Sequence, residues 1–323
     1  MPTPRRLYLH IGLPKTATTY LQQQVFGRLA LVQFLEKPRS ALFRGTYDTK
    51  YGVLDRCFKR SVLVWRERGD EVFRELLRSA SEPKDLLISD EGIGTAARKP
   101  HSLRAHLEAF TQKAVEWGFG SVRVFCAVRR QDQWLGSHYA QISDRIRGAS
   151  QASFEAFVSD WLDPAVGYYR DGVMLDYKAL RDQIVLAVGE PHTLMLPHEL
   201  LVADPQSYLH RVAAFLEAED DPVFSEAVRS PEESNVRSAG DDVWQIRRRT
   251  PAGSPVLRLR PGRLFRQMGL PTSISIRAPD LRRGKRIEMT AELKQAILQA
   301  YATRNQELAE SLGMDLRPYG YHS

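Results

Sequence analysis

Apolar and polar positions along this chain follow two periods in alternation. Short, nearly continuous apolar runs occupy Leu7 to Ile11, the centre of Lys84 to Glu91, Val122 to Val128 and Thr193 to Pro197. Runs of that length, with polar residues at their ends, predict strands buried on both faces. Between them, apolar residues recur every three or four positions over Val72 to Ala80, Leu103 to Gly118, Asp132 to Arg147, Phe154 to Trp161, Tyr177 to Gly189, Val212 to Leu216 and Ala291 to Leu312. That spacing predicts helices with one apolar face. Strands alternating with helices predict an α/β fold, with a mostly parallel central sheet flanked by helices. Glu36 to Ser61 is mixed and turn-rich, and no internal repeat is present.

One junction between the two periods carries chemistry. Leu7 to Ile11 runs into Gly12-Leu-Pro-Lys15-Thr16-Ala17-Thr18-Thr19 and then into a helical pattern. A turn at the carboxyl end of a buried strand is where open α/β sheets keep their ligand crevice. Backbone N–H groups freed at the following helix start favour an anion there. Pro14 suits such a start, Lys15 adds a mobile cation, and Thr16, Thr18 and Thr19 add hydroxyl donors. Gly12 stands only three residues before Lys15, so the order is not that of a Walker A loop.

A second strand, Val122 to Val128, leads into Arg129-Arg-Gln-Asp-Gln-Trp-Leu-Gly-Ser137. An arginine at a strand end presents a planar fork of donors to phosphate. A serine eight positions later, about two turns into a helix, can face back toward it. The residues alone do not decide whether Arg129 or Arg130 points inward; the second could face solvent or help hold an acceptor.

Together these segments resemble the sulfotransferases that use 3′-phosphoadenosine 5′-phosphosulfate, in particular the bacterial, carbohydrate-type members. The first segment resembles their 5′-phosphosulfate loop, and Arg129 with Ser137 their 3′-phosphate site. Asp176-Tyr177, His198-Glu199-Leu200-Leu201 and Asp204-Pro205 follow the order usual in that family, as does the final helix with Tyr319-Gly-Tyr321. The match covers most of residues 7 to 216. The resemblance implies a P-loop-like three-layer fold and a sulfuryl transfer that leaves adenosine 3′,5′-bisphosphate without a metal. It implies donor binding by Pro14, Lys15, Thr16, Ala17, Thr18, Thr19, Arg129 and Ser137, with Lys15 also catalytic. Glu91, in a stretch similar to the family's Ser-X-Glu-Gly, becomes the general base for an acceptor hydroxyl, or amine, on a glycan, glycolipid or small molecule. Histidines serve as bases elsewhere in the family, so His10, His101 and His138 stay open. His10 also reads as a buried strand residue, Asp90 as a helix cap, and Glu199 as a structural hydrogen-bonding group. A faint similarity puts Asn235 near the donor.

Composition narrows the class. The 323 residues suit one domain spanning 1–323. Cys57 and Cys126 are too few for a disulfide framework, so both are expected as free thiols. No run of about eighteen apolar residues exists, and Pro4-Arg5-Arg6 leads directly into the first strand, from which a cytoplasmic location and no membrane segment are expected. The net charge of +7 suits a polyanionic ligand without naming one. Two other functions remain on the residues alone. A small-molecule or nucleoside kinase lacks its Walker A glycine and an evident magnesium aspartate. A basic nucleic-acid-binding protein lacks interleaved basic and aromatic residues, so no nucleic acid is expected. The Arg- and Pro-rich stretch at about 245–286 reads as irregular connection, either solvated or acting as a cover over the donor or acceptor. The five tryptophans read mainly as packing residues.

Overall fold

The computed structural model describes residues 4–35, 54, 57–78, 80, 83–94, 102–163, 165, 174–229, 242–246, 257–259, 274–276 and 286–321. His101, Asn235, most of the turn-rich 36–61 region and most of 245–286 lie outside them. The centre is a five-stranded sheet of β1 (Arg6–His10), β2 (Val32–Leu35), β3 (Asp85–Ser89), β4 (Ser121–Val128) and β5 (Thr193–Pro197), ordered β2-β3-β1-β4-β5. All four pairings are parallel. His10 stands level with Ser89 on one side and Phe125 on the other. Because β1 is the middle strand and the chain leaves it first toward β2 and β3 and later toward β4 and β5, the order reverses at its carboxyl end. Such a reversal is where open α/β sheets keep their ligand crevice.

Alternation along the strands divides the core in two, giving a three-layer molecule. Leu7, Leu9, Leu86, Ile88, Val122, Val124 and Cys126 face one way, against apolar residues of the Val64–Arg78, Ser102–Glu116, Gln131–Ile142 and Tyr177–Val188 helices. Tyr8, Leu87, Phe125, Ala127 and Leu196 face the other, against Leu21, Val25 and Phe26 and the Pro205–Leu216 and Pro222–Arg229 helices. Leu9 and Ile88 are wholly enclosed, each contributing about 1.5–3 kcal/mol of burial. Cys57 and Cys126 are both free and buried. Among the described residues no helix is long and apolar enough to cross a membrane.

Three expectations change. The helix anticipated at Val72 to Ala80 begins a full two turns earlier, at Val64. Its first half, Trp65-Arg-Glu-Arg-Gly-Asp-Glu71, is mostly charged, and it is held by Trp65, which packs edge-on against Phe58 and Phe110 and donates Nε1–H to His106 Nδ1 at 2.9 Å. The helix after the first loop is a single α turn, Thr18–Tyr20, which widens to a π turn over Leu21–Val25 and tightens to a 3₁₀ turn at Phe26–Arg28. This register buries Leu21, Val25 and Phe26 together, with Phe26 edge-on to the His10 ring. The Arg- and Pro-rich stretch is not wholly irregular, because β7 (Leu257–Leu259) pairs antiparallel with β8 (Ile274–Ile276). Flanking it, β6 (Val243–Gln245) pairs antiparallel with β9 (Arg286–Glu288).

Candidate active site

The β1 loop continues the sheet beyond its last strand residue. Ile11 N–H donates to Phe125 O at 2.9 Å, Leu13 N–H to Ala127 O at 2.6 Å, and Ala127 N–H to Gly12 O at 2.6 Å. On the other flank Asp90 N–H donates to His10 O at 2.9 Å and Gly94 N–H to Ile11 O at 3.0 Å. The loop is therefore clasped from both sides. Gly12 has φ +85°, and a Cβ there would stand 2.8 Å from Glu91 Cβ; a Cβ on Gly94 would stand 2.4 Å from Ile11 O. Only glycines allow the Glu91–Gly94 turn to press so closely on the loop. This contact brings Glu91, the expected base, against the loop that carries Lys15. Asp90 is buried and caps that turn, its Oδ1 accepting from Gly92 N–H at 2.9 Å.

Within the loop, Lys15 and Ala17 both hold left-handed backbone, at φ 71° and 61°. Thr16 is buried and donates its hydroxyl to Leu13 O at 2.6 Å, and Thr18 Oγ1 reaches the same carbonyl at 3.4 Å. These hydroxyls brace the loop, leaving Thr19 as its exposed hydroxyl. Pro14 is fixed from outside, its carbonyl accepting the Trp134 Nε1–H at 2.8 Å.

Of the two adjacent arginines, Arg129 turns to this loop. Its Nη1 donates to Lys15 O at 3.3 Å and its Nη2 to Gln133 Oε1 at 3.4 Å, while its buried Nε has no partner among the described residues. Burial pulls its pKa down from the ordinary arginine value. The same burial, with the positive charge of Arg129 nearby, lowers the His198 pKa to about 3, so this ring is neutral beside it. Arg130 points elsewhere. It grips the fully buried Asp132 with Nε at 2.6 Å and Nη2 at 2.9 Å, and its Nη1 donates to Tyr319 O at 3.4 Å. Ser137 is half-buried on the same helix, beside Gly136, whose missing Cβ admits the Trp244 ring. Its hydroxyl makes no hydrogen bond among the described residues.

The histidines separate as well. His10 is fully buried, stacked on Phe125, with Nδ1 2.7 Å from Ser89 Oγ, and burial drops its pKa to about 3. His138 stacks on Trp134 with centroids 4.4 Å apart. Glu199 accepts from Arg130 N–H at 3.0 Å and from the Tyr321 hydroxyl at 2.9 Å, and burial raises its pKa. Tyr177 donates its hydroxyl to Arg129 O. Neither Tyr177 nor Tyr321 stands out in the sequence as a neighbour of the Arg129–Arg130 peptide.

No protein-family model matches the chain, and no curated protein matches it. Among solved structures, it is similar to a sulfotransferase from Alicyclobacillus acidocaldarius, at 12% identity and TM-score 0.48 over 98% of each chain. It is also similar to mouse sulfotransferase SULT7A1 complexed with PAP, at 16% identity and TM-score 0.41 over 71% of this chain and 65% of that one. A third is the sulfotransferase domain of the Synechococcus PCC 7002 olefin synthase, at 16% identity and TM-score 0.38 over 69% and 77%. Each is a sulfotransferase or a sulfotransferase domain.

Proposed function

We propose that this protein transfers a sulfuryl group from 3′-phosphoadenosine 5′-phosphosulfate to an acceptor hydroxyl or amine on a glycan, glycolipid or small molecule. The observation that carries the reading is Arg129. It is a half-buried guanidinium at the carboxyl edge of the sheet, hydrogen-bonded to the Lys15 carbonyl and without an ion pair among the described residues. Glu199 and Asp132 act on this charge only through space. Removing it from water without a directly paired carboxylate is unfavourable, and a phosphate bound across its fork would supply that paired anion. The nearest carboxylate in sequence, Asp132, is engaged by Arg130.

The donor presents sulfur on a phosphate leaving group, so one S–O bond breaks as another forms to the acceptor oxygen, whose proton must go to a base. Lys15 and the loop N–H groups would meet the negative charge that gathers on the departing phosphate, which is stabilisation greatest in the transition state. Arg129 and Ser137 would hold the 3′-phosphate. Glu91 would take the acceptor proton; its backbone lies against Gly12, on the β3 side of the loop and opposite Arg129. His10 is less suited to that task, since it is enclosed and its pKa lies at about 3.

The test is calorimetric titration of wild type and Arg129→Ala with adenosine 3′,5′-bisphosphate, adenosine 5′-monophosphate and ATP with magnesium. Selective binding of the bisphosphate, lost in the variant, is expected. Preference for ATP, or no nucleotide binding by folded protein, would overturn the reading.

A further inference from the structure

Behind the crevice, the peptide between Arg129 and Arg130 is held by an enclosed polar network that reaches the C-terminal helix. From one side Tyr177 donates its hydroxyl to Arg129 O. From the other, Arg130 N–H donates to Glu199 Oε1 at 3.0 Å, and Glu199 Oε2 accepts the Tyr321 hydroxyl at 2.9 Å. Tyr321 is wholly buried. Its own carbonyl accepts from Asn305 Nδ2 at 2.9 Å, and Asn305 exchanges amide hydrogen bonds with Gln131 at 2.8 and 3.2 Å. Gln131 also donates to Leu175 O at 3.2 Å, so the start of the Gln131–Ile142 helix is fixed too. The Arg130 guanidinium, meanwhile, is committed to Asp132 and to Tyr319 O.

We propose that Tyr321 is a positioning residue for the anion site of Arg129, acting through Glu199. A carboxylate with two oxygens needs two donors to keep one rotamer when buried. Arg130 N–H holds one oxygen and the Tyr321 hydroxyl the other, with Glu199's own backbone N–H also facing the carboxylate. With the Tyr321 hydroxyl gone, the second oxygen loses its side-chain donor, Glu199 turns or takes up a proton, and the Arg129–Arg130 peptide loses its fixed point. The Arg129 guanidinium, tied by a single 3.3 Å bond to the Lys15 carbonyl and by another to Gln133, then loses its set. Tyr321 touches neither nucleotide nor acceptor in this scheme. Its effect falls on recognition of one phosphate and not on the rest of the ligand.

The inference rests on Arg129 as the ligand of the 3′-phosphate, and its test separates the two. The quantity is the ratio of dissociation constants for adenosine 5′-monophosphate and adenosine 3′,5′-bisphosphate, measured on the full chain for wild type, Tyr321→Phe, Glu199→Gln and the double variant. Tyr321→Phe removes one hydroxyl and is expected to lower the ratio about fivefold, the worth of one hydrogen bond, with the monophosphate constant unchanged. Glu199→Gln keeps an acceptor for Arg130 N–H, and provides a second variant should Tyr321→Phe fold poorly. The double variant is expected to lose no more than the larger single loss, since the two residues act as one unit. Equal weakening of both nucleotides, or independent losses that add, would mean a merely structural role and overturn the proposal. A selective wild type with an equally selective Tyr321→Phe would refute it alone. A wild type without selectivity would remove the function reading, and this inference with it.

Discussion

Replacing Gly94 with alanine adds one methyl group where the Glu91–Gly94 turn meets the β1 loop. The new Cβ would lie 2.4 Å from Ile11 O and 3.1 Å from Leu13 Cδ2. An ordinary carbon–oxygen contact is about 3.3 Å, so turn and loop must part by about 0.9 Å. Gly94 N–H donates to the same Ile11 oxygen at 3.0 Å, and that separation carries the bond out of range, at about 1 kcal/mol. Overpacking adds about 1–3 kcal/mol, for a total of about 2–4 kcal/mol. The movement enters the loop two residues before Leu13, whose carbonyl anchors Thr16, so nucleotide affinity falls with stability. Gly69→Ala supplies the contrast. There the atoms nearest the new Cβ are the flexible stem of Lys113, at 3.0 to 3.3 Å, inside the Val64–Arg78 helix. A shift of a few tenths of an ångström there leaves room for the gain in helix propensity, and the change is expected to be neutral to about 1 kcal/mol stabilising. Urea unfolding of both variants, paired with titration by adenosine 3′,5′-bisphosphate, reads the difference. A Gly94→Ala protein with wild-type midpoint and affinity would refute the clasp between turn and loop.

Two further outcomes are expected. Lys15→Ala should lower turnover by about 10²-fold or more, measured as release of adenosine 3′,5′-bisphosphate in the presence of an acceptor found by screening with sulfate-labelled donor; unchanged turnover would remove Lys15 from the chemistry. His10 has a folded pKa of about 3, below its ordinary 6.5, so the unfolded chain binds the proton first as pH falls. Its contribution is complete above about pH 6.5 and is lost as pH drops toward 3, at about 1.4 kcal/mol per pH unit within that window. Denaturant unfolding at pH 7 and pH 5 should show a shallower loss for His10→Leu than for wild type, and equal losses would contradict the burial of a neutral ring.

The strands nearest the site were legible because each is an apolar run that needs no partner to be recognised: Leu7 to Ile11, Val122 to Val128, Thr193 to Pro197. The short edge strand Val32–Leu35 was not, since four residues with a glutamine among them carry little period. The loop was marked out by the order from Gly12 to Thr19. Its rigidity was hidden, because that depends on Trp134, 120 positions away from Pro14, and on glycine contacts between two strands' ends. The choice between Arg129 and Arg130 could not be made locally. It is made by Asp132 and by Tyr319 and Gly320, the last with φ +75° and its missing Cβ filled by the Arg130 guanidinium. Tyr177, Asn305 and Tyr321 reach their partners over separations of 48, 174 and 122 residues, so no window along the chain shows them together.

On the proposed function, the guanidinium of Arg129 sets heat resistance against activity. A methionine or leucine in its place would fill a similar volume, with no charge to desolvate and no Nε lacking a partner among the described residues. On that reading, selection for thermal tolerance alone would favour losing the arginine and deliver a sturdier protein that no longer holds the donor. Lineages kept for the proposed activity would retain it and offset the cost through mutations elsewhere. Position 129 is thus where a stability screen needs a binding assay beside it.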